Sequence, residues 1–202
     1  MNSEASKKKF NRKSAALVAV SAMYAALLVG GKEALAALPN IEVVTLLVAL
    51  CAFTWGLAVV LPAVNVFIAV DMAIWGINTW IFSYLIYWNL VAVCFWALGH
   101  VRFKHKAVQV VCATAFAVVL TMFFGVLTTT VDTLVGFTGR GFFVDFDDAF
   151  TRFAALYVTG VPFFVTHVVC NLVLFAVAFY PLELLNRKAK LKMLPIDEPT
   201  TE

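Results

Sequence analysis

Six apolar stretches in succession constrain this chain more than anything else in it: about Ser14 to Gly31, Val43 to Leu61, Ala63 to Ile81, Phe82 to Leu98, Ala107 to Leu127 and Phe153 to Tyr180. Each is close to the ~20 residues that a helix needs to cross the hydrocarbon of a bilayer. They are continuously apolar and lack the alternation of lipid-facing strands, so helices are expected and a barrel is not. The third and fourth run together in hydropathy. A single helix from Ala63 to Leu98 would be roughly 54 Å long at ~1.5 Å per residue, so a turn is expected at Asn78 to Ser83. The expected fold is all-α, a polytopic six-helix membrane bundle. Composition agrees: 63% of the 202 residues are hydrophobic and 13% are charged, against about 25% charged in soluble domains.

Charge placement orients the bundle. Lys7, Lys8, Lys9, Arg12 and Lys13 precede the first stretch, Arg102, Lys104 and Lys106 follow the fourth, and Arg187, Lys188, Lys190 and Lys192 follow the sixth. With six crossings these fall on one side, the cytoplasmic side by the excess of Lys and Arg there, and both termini with them. Lys32, Arg140 and Arg152 are left for the outer side. The net charge of +3 thus reflects topology and points to no nucleic-acid partner. The organisation expected is a basic cytoplasmic segment over 1–13, a membrane domain over 14–187 and a cytoplasmic tail over 188–202, disordered around Pro195 and Pro199.

The basic start, apolar run and Ala34-Leu35-Ala36 also fit a cleaved signal peptide, but the run exceeds the usual ~7 to 15 residues of a signal core. Cys51, Cys94, Cys112 and Cys170 all fall within apolar stretches and form no CxxC pair. They read as small buried hydrophobes, with no disulfide, metal or other cofactor expected.

Against this apolar background a few polar residues stand out. Asp71 lies in the third stretch, and His167 and Asn171 lie four apart in the sixth, on one helical face. An ionised carboxylate at membrane depth costs roughly 2.5–3.5 kcal/mol on insertion scales, so Asp71 must be paired, hydrated or protonated, and such groups mark ligand or ion paths. Asn78 stands one to two turns beyond Asp71, near the same face. Counting from the expected span ends puts Asp71 about 15 Å and His167 about 21 Å below the outer surface. A lone membrane Asn or His can also serve only to bond a neighbouring helix.

Two loops belong to the outer side. The first, Gly30 to Glu42, carries Lys32, Glu33, Pro39, Asn40 and Glu42. The second, about 25 residues between the fifth and sixth stretches, carries Asp132, Asp145, Asp147, Asp148 and several Gly and Phe, and reads as a lid or an interfacial helix. Trp80, Tyr84, Tyr87 and Trp88 read as an interfacial aromatic belt, with members able to stack on a planar ligand. In the first stretch Ala15, Ala19, Ala22 and Ala26 share one face, a stripe suited to close helix approach within the bundle or to a partner. No GxxxxGK loop is present for ATP, and no GxSxG, HExxH or paired catalytic glutamates, so enzymatic activity is not expected. An intramembrane enzyme using His167 and Asp71 as acid and base, or a proton-coupled carrier relaying through Asp71, are the competing classes.

Three segments carry a resemblance. Leu38-Pro39-Asn40-Ile41-Glu42-Val43-Val44-Thr45-Leu46-Leu47, Trp80-Ile81-Phe82-Ser83-Tyr84-Leu85-Ile86-Tyr87-Trp88 and Thr159-Gly160-Val161-Pro162-Phe163-Phe164-Val165-Thr166-His167-Val168-Val169-Cys170-Asn171 resemble, in order, stretches of the substrate-binding components of energy-coupling factor (ECF) vitamin transporters. The likeness runs from about Ala15 to Leu185. It departs at Phe164, where Asp is frequent, at Asn89, where Pro is frequent, and at Asp71, where Glu is expected. The resemblance implies a six-helix subunit of a bacterial plasma membrane that captures a micronutrient from outside. It also implies docking through the alanine stripe on a transmembrane coupling subunit driven by two cytoplasmic ATPases. Asn40, Glu42, Asp71, Asn78, His167 and Asn171 are then expected to line the substrate cup. Cobalamin is the substrate that the second-helix entry brings nearest.

Overall fold

A computed structural model describes residues 2–135 and 149–194, with side chains over 13–134 and 149–194. The second loop from Gly136 to Asp148, and the end of the tail from 195, lie outside the described residues. Six helices follow one another: α1 (Asn2–Leu35), α2 (Val44–Trp55), α3 (Leu57–Trp75), α4 (Thr79–Gly99), α5 (Lys106–Val135) and α6 (Ala149–Met193). Among the described residues there is no strand. Five helices are long and apolar enough to cross a membrane, as befits a membrane-embedded helical protein. Residues 2–13 of the basic segment are part of α1, and residues 188–193 of the expected tail continue α6.

The second helix in chain order is not equivalent to the other five. The apolar pattern predicts a span over Val43–Leu61, but the chain breaks at Gly56, whose φ of 84° and ψ of 179° lie in a region essentially reserved for glycine. Hydropathy cannot register such a break, because apolar residues continue on both sides of it. What remains is α2, 12 residues long and so about 18 Å, too short for a hydrocarbon layer of ~30 Å. Every residue of α2 except Leu47 is buried. A helix apolar all round belongs in an interior, and α2 packs against α1, α3, α4 and α6.

The neighbours present inward stripes to α2. On α1, Val20, Tyr24 and Leu28 are buried at a spacing of four, while Ala15, Ala19, Ala22 and Ala26 face away and are exposed. On α6 the inward stripe is His167, Asn171, Phe175, Phe179 and Glu183, again every fourth residue. Phe53 of α2 meets Phe179 edge to face, with ring centres 5.4 Å apart. Where α2 ends, α4 comes so close that a Cβ on Gly99 would stand 2.7 Å from the Phe53 carbonyl oxygen.

α3 also ends earlier than the pattern predicts. It stops at Trp75, capped by Gly76 at φ 79°, so Asp71 lies one turn from the helix end instead of ten residues below it. The turn expected at Asn78 to Ser83 falls at Gly76 to Asn78, and Asn78 caps α4 by accepting from the Thr79 amide at 2.7 Å.

The backbone contact at Gly99 sets an expected outcome. Gly99→Ala destabilises the folded protein by about 1–3 kcal/mol, since the opposing atom is backbone and cannot swing aside. Gly30→Ala, with nothing within 4 Å of the new Cβ, is neutral or slightly stabilising in a helix. Thermal unfolding of both variants in detergent checks the contrast.

Candidate functional site

A helix that begins inside a bundle leaves amide N–H groups without partners in its first turn. Glu42, two residues before α2, supplies one: its Oε2 accepts from the Thr45 amide at 2.8 Å, and its Oε1 accepts from the Thr45 hydroxyl at 2.6 Å. A carboxylate at this end also suits the helix dipole. Two donors arrive on the same Oε1 from the middle of α6, His167 Nε2 at 3.0 Å and Asn171 Nδ2 at 3.0 Å. Asn171 Nδ2 also donates to Thr121 Oγ1 of α5 at 3.0 Å, and the Thr121 hydroxyl donates to the Ala117 carbonyl at 2.8 Å. Burial alone would push the Glu42 carboxyl up, but the hydrogen bonds with His167 and Thr45 outweigh it and hold the group below its ordinary range as a carboxylate. The network ties α2, α5 and α6 together at one point.

That point is deep. Trp88, which lines the same cleft as Glu42, is nine residues into α4, about 13 Å along its axis, so the connection between α1 and α2 descends into the bundle instead of running over its top. Asn40 makes the descent possible. It adopts φ 58°, a left-handed conformation that Asn tolerates better than any other residue except Gly. Irregular backbone at such depth is acceptable only where it is enclosed by protein or lines a cavity. Here it does line one, a cleft of about 160 Å³ between the connection and the bundle.

The walls of the cleft are aromatic. Tyr84 and Trp88 of α4 and Phe124 of α5 line it together with His167. Phe124 meets His167 edge to face at 5.3 Å, Tyr84 meets Trp88 at 5.6 Å, and Trp88 stacks on Phe124 at 6.3 Å. These rings are therefore an inner wall. The expectation of an interfacial belt fails for Tyr87 and Trp88, which are fully buried, because positions 80, 84, 87 and 88 fall on the face of α4 turned toward the bundle.

Lys32, near the end of α1, stands at the rim. Its ammonium pairs with the Asp71 carboxylate and lies 4.8 Å from the centre of the Trp80 ring, 5.3 Å from Tyr84 and 5.9 Å from Trp75. Trp75 is held in turn by its indole N–H, which donates to Glu33 at 2.9 Å. Asp71 is thus paired, as its burial requires, and acts on the cleft through Lys32 without lining it.

Of the six residues expected to form a cup, Asn40, Glu42 and His167 line the cleft directly. Asn171 holds Glu42 from behind, Asp71 holds Lys32, and Asn78 is exposed and serves α4 as its cap. Sequence reasoning missed Lys32, Thr45, Thr121 and Phe124. Lys32 did carry a signal, as a single lysine after an apolar run on the side poor in cations. The threonines carried none, since a buried Thr in an apolar helix usually bonds its own backbone. Comparison with family models, curated proteins and solved structures finds no match to this chain.

The rim pair is testable apart from any ligand. Lys32→Met strands the Asp71 carboxylate, which is only 2% exposed, and is expected to destabilise the protein by about 1–3 kcal/mol, less than for a wholly buried pair because Lys32 is partly solvated. The double variant Lys32→Met/Asp71→Leu recovers at least half of that loss. Chemical or thermal unfolding of the single and double variants measures the coupling.

Proposed function

We propose that this chain is the substrate-capture subunit of an ATP-driven importer of the ECF type, taking up a vitamin or related micronutrient. The observation that carries the reading is the descent of the α1–α2 connection, which brings Glu42 against His167 and Asn171 beneath a cleft walled by Tyr84, Trp88 and Phe124. Concave, mostly apolar sites with a few fixed polar groups are what ligand recognition uses.

The topology proposed has the cleft facing outward and both termini in the cytoplasm of a bacterial cell, with the α1–α2 connection and α2 together making the second of six crossings, since α2 ends beside Lys190 in the basic end of α6. Twelve of the 15 Lys and Arg lie at the opposite end from the cleft, which supports that orientation. The chain has no nucleotide-binding loop of its own, so two ATPases and a transmembrane coupling subunit would supply the energy. The exposed face of α1 carrying Ala15, Ala19, Ala22 and Ala26 supports docking on that coupling subunit, since small residues let a partner helix approach closely. In this account the loaded subunit turns in the membrane on ATP hydrolysis and releases its ligand inside. The cleft is small for cobalamin, a corrin macrocycle with a nucleotide tail, and favours a lighter micronutrient.

Uptake of radiolabelled vitamins by cells expressing the chain tests the reading. Uptake is expected to require the coupling subunit and both ATPases, and to fall at least tenfold for Asn171→Ala and Asp71→Ala. Uptake that persists without ATPases and collapses with the proton gradient would instead make the chain a self-sufficient proton-coupled carrier.

A further inference from the structure

Resting on the reading of the cleft as the capture site, we propose that its occupant is a small flat cation. It is a single-ring molecule whose protonated nitrogen donates to Glu42 while its ring lies against Tyr84, Trp88 and Phe124.

Size comes first. The cleft holds about 160 Å³, and an apolar cavity of ~150 Å³ takes up benzene. A ring of that size with one or two polar substituents fills the space.

Charge selects among such rings. Glu42 is the only carboxylate that lines the cleft among the described residues, and its side chain is 15% exposed. Its Oε1 already accepts from Thr45, His167 and Asn171, whereas Oε2 accepts only from the Thr45 amide. Oε2 is thus the less crowded of the two oxygens and the one with room to accept from a ligand N–H. The one lining cation, Lys32, is engaged by Asp71 and by the faces of Trp75, Trp80 and Tyr84. An anion would have to compete with Asp71 for it and would approach Glu42 as a like charge. Aromatic faces present negative potential, which attracts a cation and repels an anion.

Three isosteric probes separate charge from shape: benzamidinium, benzamide and benzoate share a ring and nearly the same volume. Calorimetry on the purified full-length chain in nanodiscs at neutral pH is expected to show benzamidinium binding at least tenfold tighter than benzamide, with benzoate weakest. Glu42→Gln should bring benzamidinium level with benzamide. Lys32→Met, which removes a like charge from the rim, should strengthen benzamidinium binding severalfold, so the proposal is testable even if Glu42→Gln does not fold. Benzoate binding as tightly as benzamidinium overturns the charge assignment and leaves the capture reading intact. Binding of a larger vitamin with no binding of any of the three probes overturns the size assignment, again leaving capture intact. If neither the probes nor any vitamin bind and no uptake is seen, the capture reading falls along with the proposal.

Discussion

A short helix that starts and ends inside an apolar bundle must have its terminal backbone groups satisfied by protein, and the architecture of this molecule follows from how α2 meets that demand. Its residues are buried, so each amide or carbonyl left bare within the protein would cost on the order of 1–3 kcal/mol. At the first turn Glu42 accepts from the Thr45 amide; at the last turn Lys190 of α6 donates to the Thr54 carbonyl. An anion at the start and a cation at the end also match the helix dipole. Each capping group then needs support of its own. For Glu42 that support comes from His167 and Asn171, and the region around Lys190 is built from Tyr24, which donates to Asn186, and the Glu183–Arg187 pair. Capping one buried helix therefore fixes where α1, α5 and α6 must lie.

The cleft is a consequence of the same requirement. Bringing Glu42 to the start of α2 draws the preceding connection down between the helices, and the space it does not fill stays open against the aromatic wall. One oxygen of the carboxylate stays less crowded than the other, and the ion pair of Lys32 with Asp71 closes the rim beside it. A structural solution has thus left a polar group facing an apolar pocket, the combination from which recognition sites are made.

How much of this was legible in the sequence depended on the range of the interactions involved. Hydrophobic segments, the need for a turn after the third of them and the shared face of His167 and Asn171 are encoded within a few residues, so periodicity and length sufficed, though they set the turn a few residues late. The break at Gly56 was hidden because a glycine dihedral leaves no mark on hydropathy. The end of α3 at Gly76 was hidden for the same reason, which misplaced Asp71 toward mid-membrane. The depth of Glu42 was invisible for a different reason. Its partners lie 125 and 129 positions away, and a Glu at the end of an apparent loop looks like an ordinary solvated residue. Asp71, Asn78, His167 and Asn171 were polar outliers in apolar stretches, and such outliers include caps as well as ligand contacts. Asn78 turned out to be a cap, whereas Lys32, set aside as a loop cation, stands at the rim.

The central claim is that the α1–α2 connection forms the floor and lip of an outward-facing ligand cleft. The most direct test replaces the four native cysteines, introduces Leu38→Cys at the lip, and follows labelling of intact cells by a membrane-impermeant maleimide. The account predicts rapid labelling from outside, slowed when benzamidinium is present. Labelling only after the cells are permeabilised would contradict it.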